Sequence, residues 1–434
     1  MKNILSFLIA LFFFNACSNS STEAVAVENV LLSQDAITLE VGEQLSLTAK
    51  VMPENATNPT VSWRSSNPEV AVVSKTGVVQ AEAVGASVIT VTTQDGNKSA
   101  TCNVTVNEEV EKSNSIIVGY VVSWGTSVPD PTYLTHINYA FGTINMGNFT
   151  QIIVDNPDRL KNTVMPLKTK KPTLKILLSI GGWGTDGFSQ MASTETRRSG
   201  FVASCKSVID TYGLDGIDLD WEYPTSNMAG IAASPNDKAN FTLLVQEIRS
   251  AIGNGKLLTV AAPSNADYYD FPSIMNYVDY INLMTYDMGY PPYLNAPLYP
   301  SSREEWGSCS ESVQSYVNKG VPTNKLTLGI PFYGHGDPTS TGNEIPQDVE
   351  YYRIASFISS GKYTDNWDDI AKAPYLTNSA GKLVCSYDDP RSIAEKCKFI
   401  LDKGMLGAMF WEYDQDDSAG TLREALYNGL NGTE

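Results

Sequence analysis

Residues 214–223 read L-D-G-I-D-L-D-W-E-Y. Asp218, Asp220 and Glu222 stand at alternate positions, and in an extended strand alternate side chains share a face, ~6.6 Å apart along the backbone. Ile217, Leu219 and Trp221 take the other face. One side of such a strand is apolar and packs against helices, while the other carries three carboxylates. Neighbouring acids withdrawn from water cannot all ionise at their ordinary pKa values, so protons are divided unequally among them. That division lets one site hold a protonated acid beside an ionised partner, as proton-transfer chemistry requires. The spacing alone also fits a metal-binding or merely acidic edge.

The surrounding region repeats one alternation. Short apolar runs at 116–123, 136–142, 174–180, 216–222, 257–262, 280–286, 326–331 and 407–411 read as strands, and stretches such as 194–212, 238–252 and 390–403 read as helices. Eight such units predict an α/β fold, a (β/α)8 TIM barrel over 116–432. Active sites of that fold lie at the C-terminal strand ends, where Glu222 is expected to close the fourth strand.

Charge and composition disfavour several function classes. The 434 residues carry a net charge of −18, unsuited to nucleic acid or anionic membrane surfaces. A neutral polysaccharide makes no charge demand. The chain has two histidines, His136 and His335, little material for a histidine-based metal site or a Ser-His-Asp triad. No glycine-rich phosphate loop is present. Cys102, Cys205, Cys309, Cys385 and Cys397 lack metal-ligand spacing and read as small buried residues, with a disulfide left open.

At the N-terminus Lys2 precedes an apolar run, 4–14, broken by Ser6. It is too short to span a membrane and reads as a secretory signal over 1–16. Phe14-Asn15-Ala16-Cys17, followed by small polar residues, resembles a bacterial lipoprotein signal in which Cys17 becomes the lipidated terminus. That resemblance implies an exported protein, anchored to a bacterial envelope membrane by lipid alone, or secreted. Over 25–107 the pattern becomes short alternating strands (36–41, 44–51, 60–64, 77–83, 87–93, 99–106), an all-β sandwich. The runs V-G-E-Q-L-S-L-T-A-K-V-M-P and V-S-W-R-S-S-N-P-E-V-A-V-V resemble bacterial immunoglobulin-like group 2 domains. Trp63 is expected between the sheets. With no line of exposed aromatics, the domain reads as a spacer rather than a sugar-binding module. The polar run 108–115 reads as a linker.

D-G-I-D-L-D-W-E resembles the D-x-x-D-x-D-x-E signature of glycoside hydrolase family 18, the chitinase family, at Asp215, Asp218, Asp220 and Glu222. Further segments follow in the family's order. Ser179-Ile180-Gly181-Gly182 is similar to its S-x-G-G motif and Met284-Thr285-Tyr286-Asp287 to its M-x-Y-D motif; 295–299, 328–334 and 408–412 also look like family segments. The resemblance implies a retaining chitinase acting on β-1,4-linked N-acetylglucosamine polymers or oligomers. Asp220 and Glu222 approach from one side, so Asp220 is poorly placed to attack the far face of the sugar. The substrate's acetamido oxygen serves instead and forms an oxazolinium ion, the substrate-assisted exception for which this family is known. By the same resemblance Glu222 is the general acid and Asp220 holds the acetamido N–H. Asp218 sits behind, sharing a proton or a hydrogen bond, and Tyr286 orients the acetamido carbonyl. Trp411 is the floor under the reacting sugar and Phe141 lines it; Asp287 and Met284 stand beside substrate, and Tyr120 and Ser179 support the Asp pair. Trp183, with Trp124 and Trp306, is a subsite candidate at a strand-end loop. Asp215, of opposite parity, is expected to anchor the start of the strand. No metal or organic cofactor is implied, and the chain is expected to act as a monomer on chitin or N-acetylglucosamine oligosaccharides.

Two departures stand out. His335 occupies a position where the family often has Arg. Residues 334–387 number about fifty, too few for the full α+β insertion many members carry, which argues against a deep cleft. Two other readings remain: an endo-β-N-acetylglucosaminidase on N-glycans, using the same acid pair, and a non-catalytic chitin-binding lectin, which an intact Glu222 and Asp220 disfavour.

Overall fold

The structure, a computed structural model, describes residues 24–107 and 115–432, which divide into two compact units. The signal, Cys17 and all but the last residue of the linker fall outside the described residues.

In the first unit, period-two alternation produces β structure. One sheet runs Ala36–Glu40, Ser99–Asn107, Gly85–Thr93, Val61–Ser65 in spatial order, and another runs Gln44–Ser46, Val78–Ala81, Ala71–Val73. The expected strand 44–51 is split, its second half, Ala49–Met52, pairing with Asn29–Leu32. That strand and Ala71–Val73 were not foreseen. Alternate residues Ile37, Leu39, Ile89, Val104 and Val106 are buried together, with Trp63 partly buried against them. Trp63 is the sole aromatic residue of 24–107, and it packs against the core.

The second unit contains the predicted barrel. Its strands are β1 (Ile116–Val122), β2 (His136–Ile144), β3 (Lys175–Gly181), β4 (Gly216–Asp220), β5 (Leu257–Pro263), β6 (Tyr280–Met284), β7 (Leu326–Pro331) and β8 (Gly407–Trp411). Each is parallel to the next, and β8 pairs with β1 to close the ring. Helices Glu195–Tyr212, Asp237–Ile252 and Pro390–Asp402 lie where the sequence placed them. Their ends have local causes: Thr194 caps the first and Asp389 forms a capping box with Ser392 on the last. Outward strand residues, such as Ile176, Leu178, Ile217 and Leu219, with Trp221 just past the end of β4, meet the helices in one continuous core. Inward residues form a second cluster that includes Tyr120, Tyr286 and Met409.

β4 ends at Asp220 rather than Glu222. Its pairing with β5 stops at Leu219, and the Trp221 carbonyl instead accepts the Tyr269 hydroxyl at 2.8 Å. Cys102, Cys205, Cys309, Cys385 and Cys397 are all buried free thiols.

The expectation for 334–387 is overturned. The segment folds into an antiparallel sheet, Asp348–Glu350, Tyr333–Gly336, Leu383–Ser386, Ala373–Thr377, Thr364–Asp368 in spatial order, with helix Tyr351–Ser359. Ile345, Val349, Ile354, Leu376, Val384 and Tyr387 form its own core. Strands of three to five residues with tight turns need little chain, so length was a poor guide to whether an insertion could form.

Trp221 joins β4 to the outer layer: it is fully buried and stacks on Phe188 at 5.2 Å with ring planes 11° apart. Trp221→Ala is expected to destabilise the barrel by about 3–5 kcal/mol, read as a lower urea midpoint in circular dichroism.

Candidate active site

Register builds the base of the site. Ser179, Asp218 and Thr259 stand side by side across β3, β4 and β5. Asp218 Oδ2 accepts from Tyr120 Oη and Ser179 Oγ, each at 2.8 Å. Its Oδ1 accepts from Thr259 Oγ1 at 2.5 Å and Asn282 Nδ2 at 3.3 Å. Burial pushes the Asp218 pKa up, and these four donors pull against it. An ionised carboxylate has about four lone-pair sites to offer. Donors fill them, so the geometry favours the charge being held at Asp218.

Asp220 has the opposite surroundings. Its Oδ1 is buried without a hydrogen-bond partner. Burial, then the charges of Glu222 and Asp218, raise its pKa well above the usual carboxylate range. The hydroxyl and amide donors all fall on Asp218. Two acids two residues apart are thereby given different surroundings, four donors on Asp218 and none on Asp220 Oδ1.

Glu222 lies just beyond the end of β4. Burial raises its pKa to about 7, the Tyr223 phenol pulls it down, and the Asp287 charge adds to the rise. The repulsion between Glu222 and Asp220 is carried by Asp220 in its own pKa. Tyr286 is buried, its hydroxyl 3.9 Å from Met409 Sδ. Met284 ends β6 and packs against the same inner cluster. Asp287 follows in the left-handed region at φ +56°. Its backbone N–H donates to Asn295 Oδ1 at 2.7 Å, and its carboxylate accepts from Tyr333 Oη at 2.6 Å and faces His335 Nε2 at 2.8 Å.

The register between β2 and β3 shifts at Phe141, a bulge that re-aims the side chain. Phe141 stacks on Trp411 at 5.6 Å, and Trp411 meets Tyr120 at 5.6 Å. The two glycines after Ile180 make room for this. A Cβ at Gly181 (φ +127°) would overlap the Asp220 carbonyl, and one at Gly182 (φ +93°) would lie 2.7 Å from the Phe141 ring. Trp124, Trp183 and Trp306 are exposed, each beside one aromatic neighbour: Phe141, Tyr223 and Tyr290 respectively.

The structure therefore gathers Glu222, Asp220, Asp218, Tyr286, Asp287, Met284, Tyr120, Ser179, Phe141 and Trp411, with Trp183 reaching the group through Tyr223. Asp215 stays at the start of its strand, accepting from Lys168 Nζ at 2.7 Å and the Ile176 N–H at 2.8 Å. Thr259 and Asn282 were missed as Asp218 donors. Their signal was a polar residue at an inward position of an apolar strand. Tyr333 and Asn295 lie in the family-like segments 328–334 and 295–299, but no parity or spacing pointed to their contacts with Asp287.

Residues 116–416 match the family model "Glycosyl hydrolases family 18", and residues 26–104 match "Bacterial Ig-like domain (group 2)". The chain belongs to glycosyl hydrolases family 18. This family 18 chain is 32% identical over 406 residues to Chitinase A1 of Niallia circulans, covering 71% of this chain and 58% of that relative. A family 18 N-acetylglucosaminidase from Paenibacillus barengoltzii has a similar structure, with TM-score 0.65 and 36% identity over 73% of this chain and 100% of that one. A class V chitinase from Nicotiana tobaccum, solved in complex with NAG4, gives TM-score 0.65 and 26% identity over 74% of this chain and 100% of that one. The family 18 chain spans about three-fifths of the length of curated relatives such as Chitinase A1.

Gly182→Ala is expected to displace Phe141 and with it the Trp411 ring that stacks on it. Since an ångström-scale misplacement can cost ~100-fold, kcat/KM should fall roughly 100-fold on a chitooligosaccharide. An unchanged far-ultraviolet spectrum would separate this from unfolding.

Proposed function

We propose that this hydrolase is a chitinase that cleaves β-1,4-linked N-acetylglucosamine chains by substrate-assisted catalysis with retention. The observation that carries the reading is the unpartnered, buried Oδ1 of Asp220 between Glu222 and the donor-saturated Asp218. An acetamido N–H supplies the donor that this oxygen lacks. The Tyr286 hydroxyl, engaged only by a thioether at 3.9 Å, is free to turn to the acetamido carbonyl. Both contacts aim the carbonyl oxygen at the anomeric carbon. Glu222, neutral below about pH 7, gives its proton to the glycosidic oxygen as that bond breaks. The acetamido oxygen bonds to the anomeric carbon, and negative charge at the aspartate pair offsets the positive oxazolinium ring. The Glu222 carboxylate then takes a proton from water, which opens the ring from the face the leaving group vacated. Two inversions give retention. The class V chitinase related in structure, solved with NAG4, supports N-acetylglucosamine oligomers as substrate.

Glu222→Gln is expected to lower kcat roughly 10²–10⁴-fold, the usual contribution of general acid catalysis. In the unsubstituted enzyme kcat/KM should decline as pH rises through about 7, because the acid works only while protonated. Nuclear magnetic resonance in deuterated water should show β-anomeric di- or trisaccharides released from chitin oligomers. Release of protein-linked N-glycans with chitin oligomers untouched would move the enzyme to the endo-β-N-acetylglucosaminidase reading, and tight binding without turnover to the lectin reading.

We infer also, from the sequence of 1–21, that the chain is exported and lipidated at Cys17. Metabolic labelling with palmitate in a bacterial host should mark the protein, and Cys17→Ala should remove the label.

A further inference from the structure

We propose that His335 is a charged strut that joins the Asp287 carboxylate at the barrel rim to Asp348 of the inserted sheet, and so holds Asp287 and the Tyr290–Trp306 wall in the arrangement that grips sugar. The sugar-gripping part rests on the chitinase reading above.

His335 is buried on the inserted strand Tyr333–Gly336 and pairs in register with Asp348 on the next strand. Its Nε2 lies 2.8 Å from Asp287 Oδ1, and its Nδ1 lies 3.1 Å from Asp348 Oδ1. The Gln347 carbonyl, 3.4 Å from Nδ1, is a third acceptor. A neutral imidazole has one N–H and one lone pair, so one nitrogen would turn its lone pair on a carboxylate. With both nitrogens protonated, every contact is a donated hydrogen bond. The Tyr290 ring lies against the imidazole, centroids 4.2 Å apart, and Trp306 meets Tyr290 edge-on at 6.2 Å. Aromatic faces favour a cation in that position.

The groups facing His335 are Asp287 from the barrel rim, Asp348 from the neighbouring strand, and the phenols Tyr290 and Tyr333. Glu305 reaches the Tyr290 N–H, at 3.4 Å, rather than the imidazole. Burial by itself lowers the His335 pKa, but the two hydrogen-bonded carboxylates outweigh it and raise it to about 9. With the folded value above the ordinary ~6.5, the strut is complete below that pH and is lost as pH rises through about 9. The other histidine, His136, is pushed down to about 4, chiefly by burial, so the two titrate far apart.

The test is an imidazole titration by nuclear magnetic resonance, with His335→Gln for assignment, alongside binding of the N-acetylglucosamine tetramer. Binding is measured in a Glu222→Gln background, which removes the titration of the acid. The His335 signal should titrate near pH 9, and Asp287→Asn should lower that midpoint. Affinity in Glu222→Gln should fall roughly tenfold between about pH 7 and 10, the scale of one charge-assisted hydrogen bond. Adding His335→Gln should give the weak value at every pH, and adding His335→Arg, a permanent cation, should keep affinity flat. A His335 midpoint near 6.5, or affinity unchanged while His335 deprotonates, would overturn the proposal. Should the Arg variant not fold, the Gln variant and the titration decide. If no variant binds the tetramer, the chitinase reading and the sugar-gripping part fail together, while a midpoint near 9 that drops in Asp287→Asn still supports the strut.

Discussion

The buried carboxylate of Asp218 is the constraint on which the rest of the site depends. Its donors come from β1, β3, β5 and β6, and it lies on β4, so one side chain ties together five of the eight barrel strands. A charge buried without such partners would be strongly destabilising. With them the carboxylate is held fixed beneath Asp220, whose pKa is raised by burial and by the charges of Glu222 and Asp218, while Glu222 owes its own rise to burial and the Asp287 charge.

The site is graded from base to mouth. At the base, hydrogen bonds saturate Asp218. One layer higher, Asp220 has an oxygen with nothing to bind. At the mouth, Glu222 feels burial and the charge of Asp287. A chain of contacts then leads outward, from Asp287 to His335 and Asp348. The barrel supplies the chemistry in this arrangement, and the inserted sheet supplies the group that positions Asp287 from outside.

Much of this was legible in the chain. Alternation marked the eight strands to within a few residues, the parity of Asp218 and Asp220 set them on the barrel's inner face, and the opposite parity of Asp215 sent it to the start of the strand. The glycine pair after Ile180 was recognisable as a motif, but its reason, the Asp220 carbonyl on one side and the Phe141 ring on the other, was not. The inserted sheet was misjudged because chain length says little about how tightly short strands can turn. The departure at His335 was visible, whereas its two carboxylate partners were not.

By itself the sequence determined what depends on near neighbours: strand and helix periods, helix caps, the face each acid occupies, and the membership of family 18 that its motifs announce. Tertiary structure decided protonation. The donors that hold Asp218 lie 39 to 98 residues away along the chain, and Asp287, which acts on both Glu222 and His335, is likewise distant from each. A pKa responds to charge and solvent within a few ångströms in space, and only barrel closure brings those groups within that range.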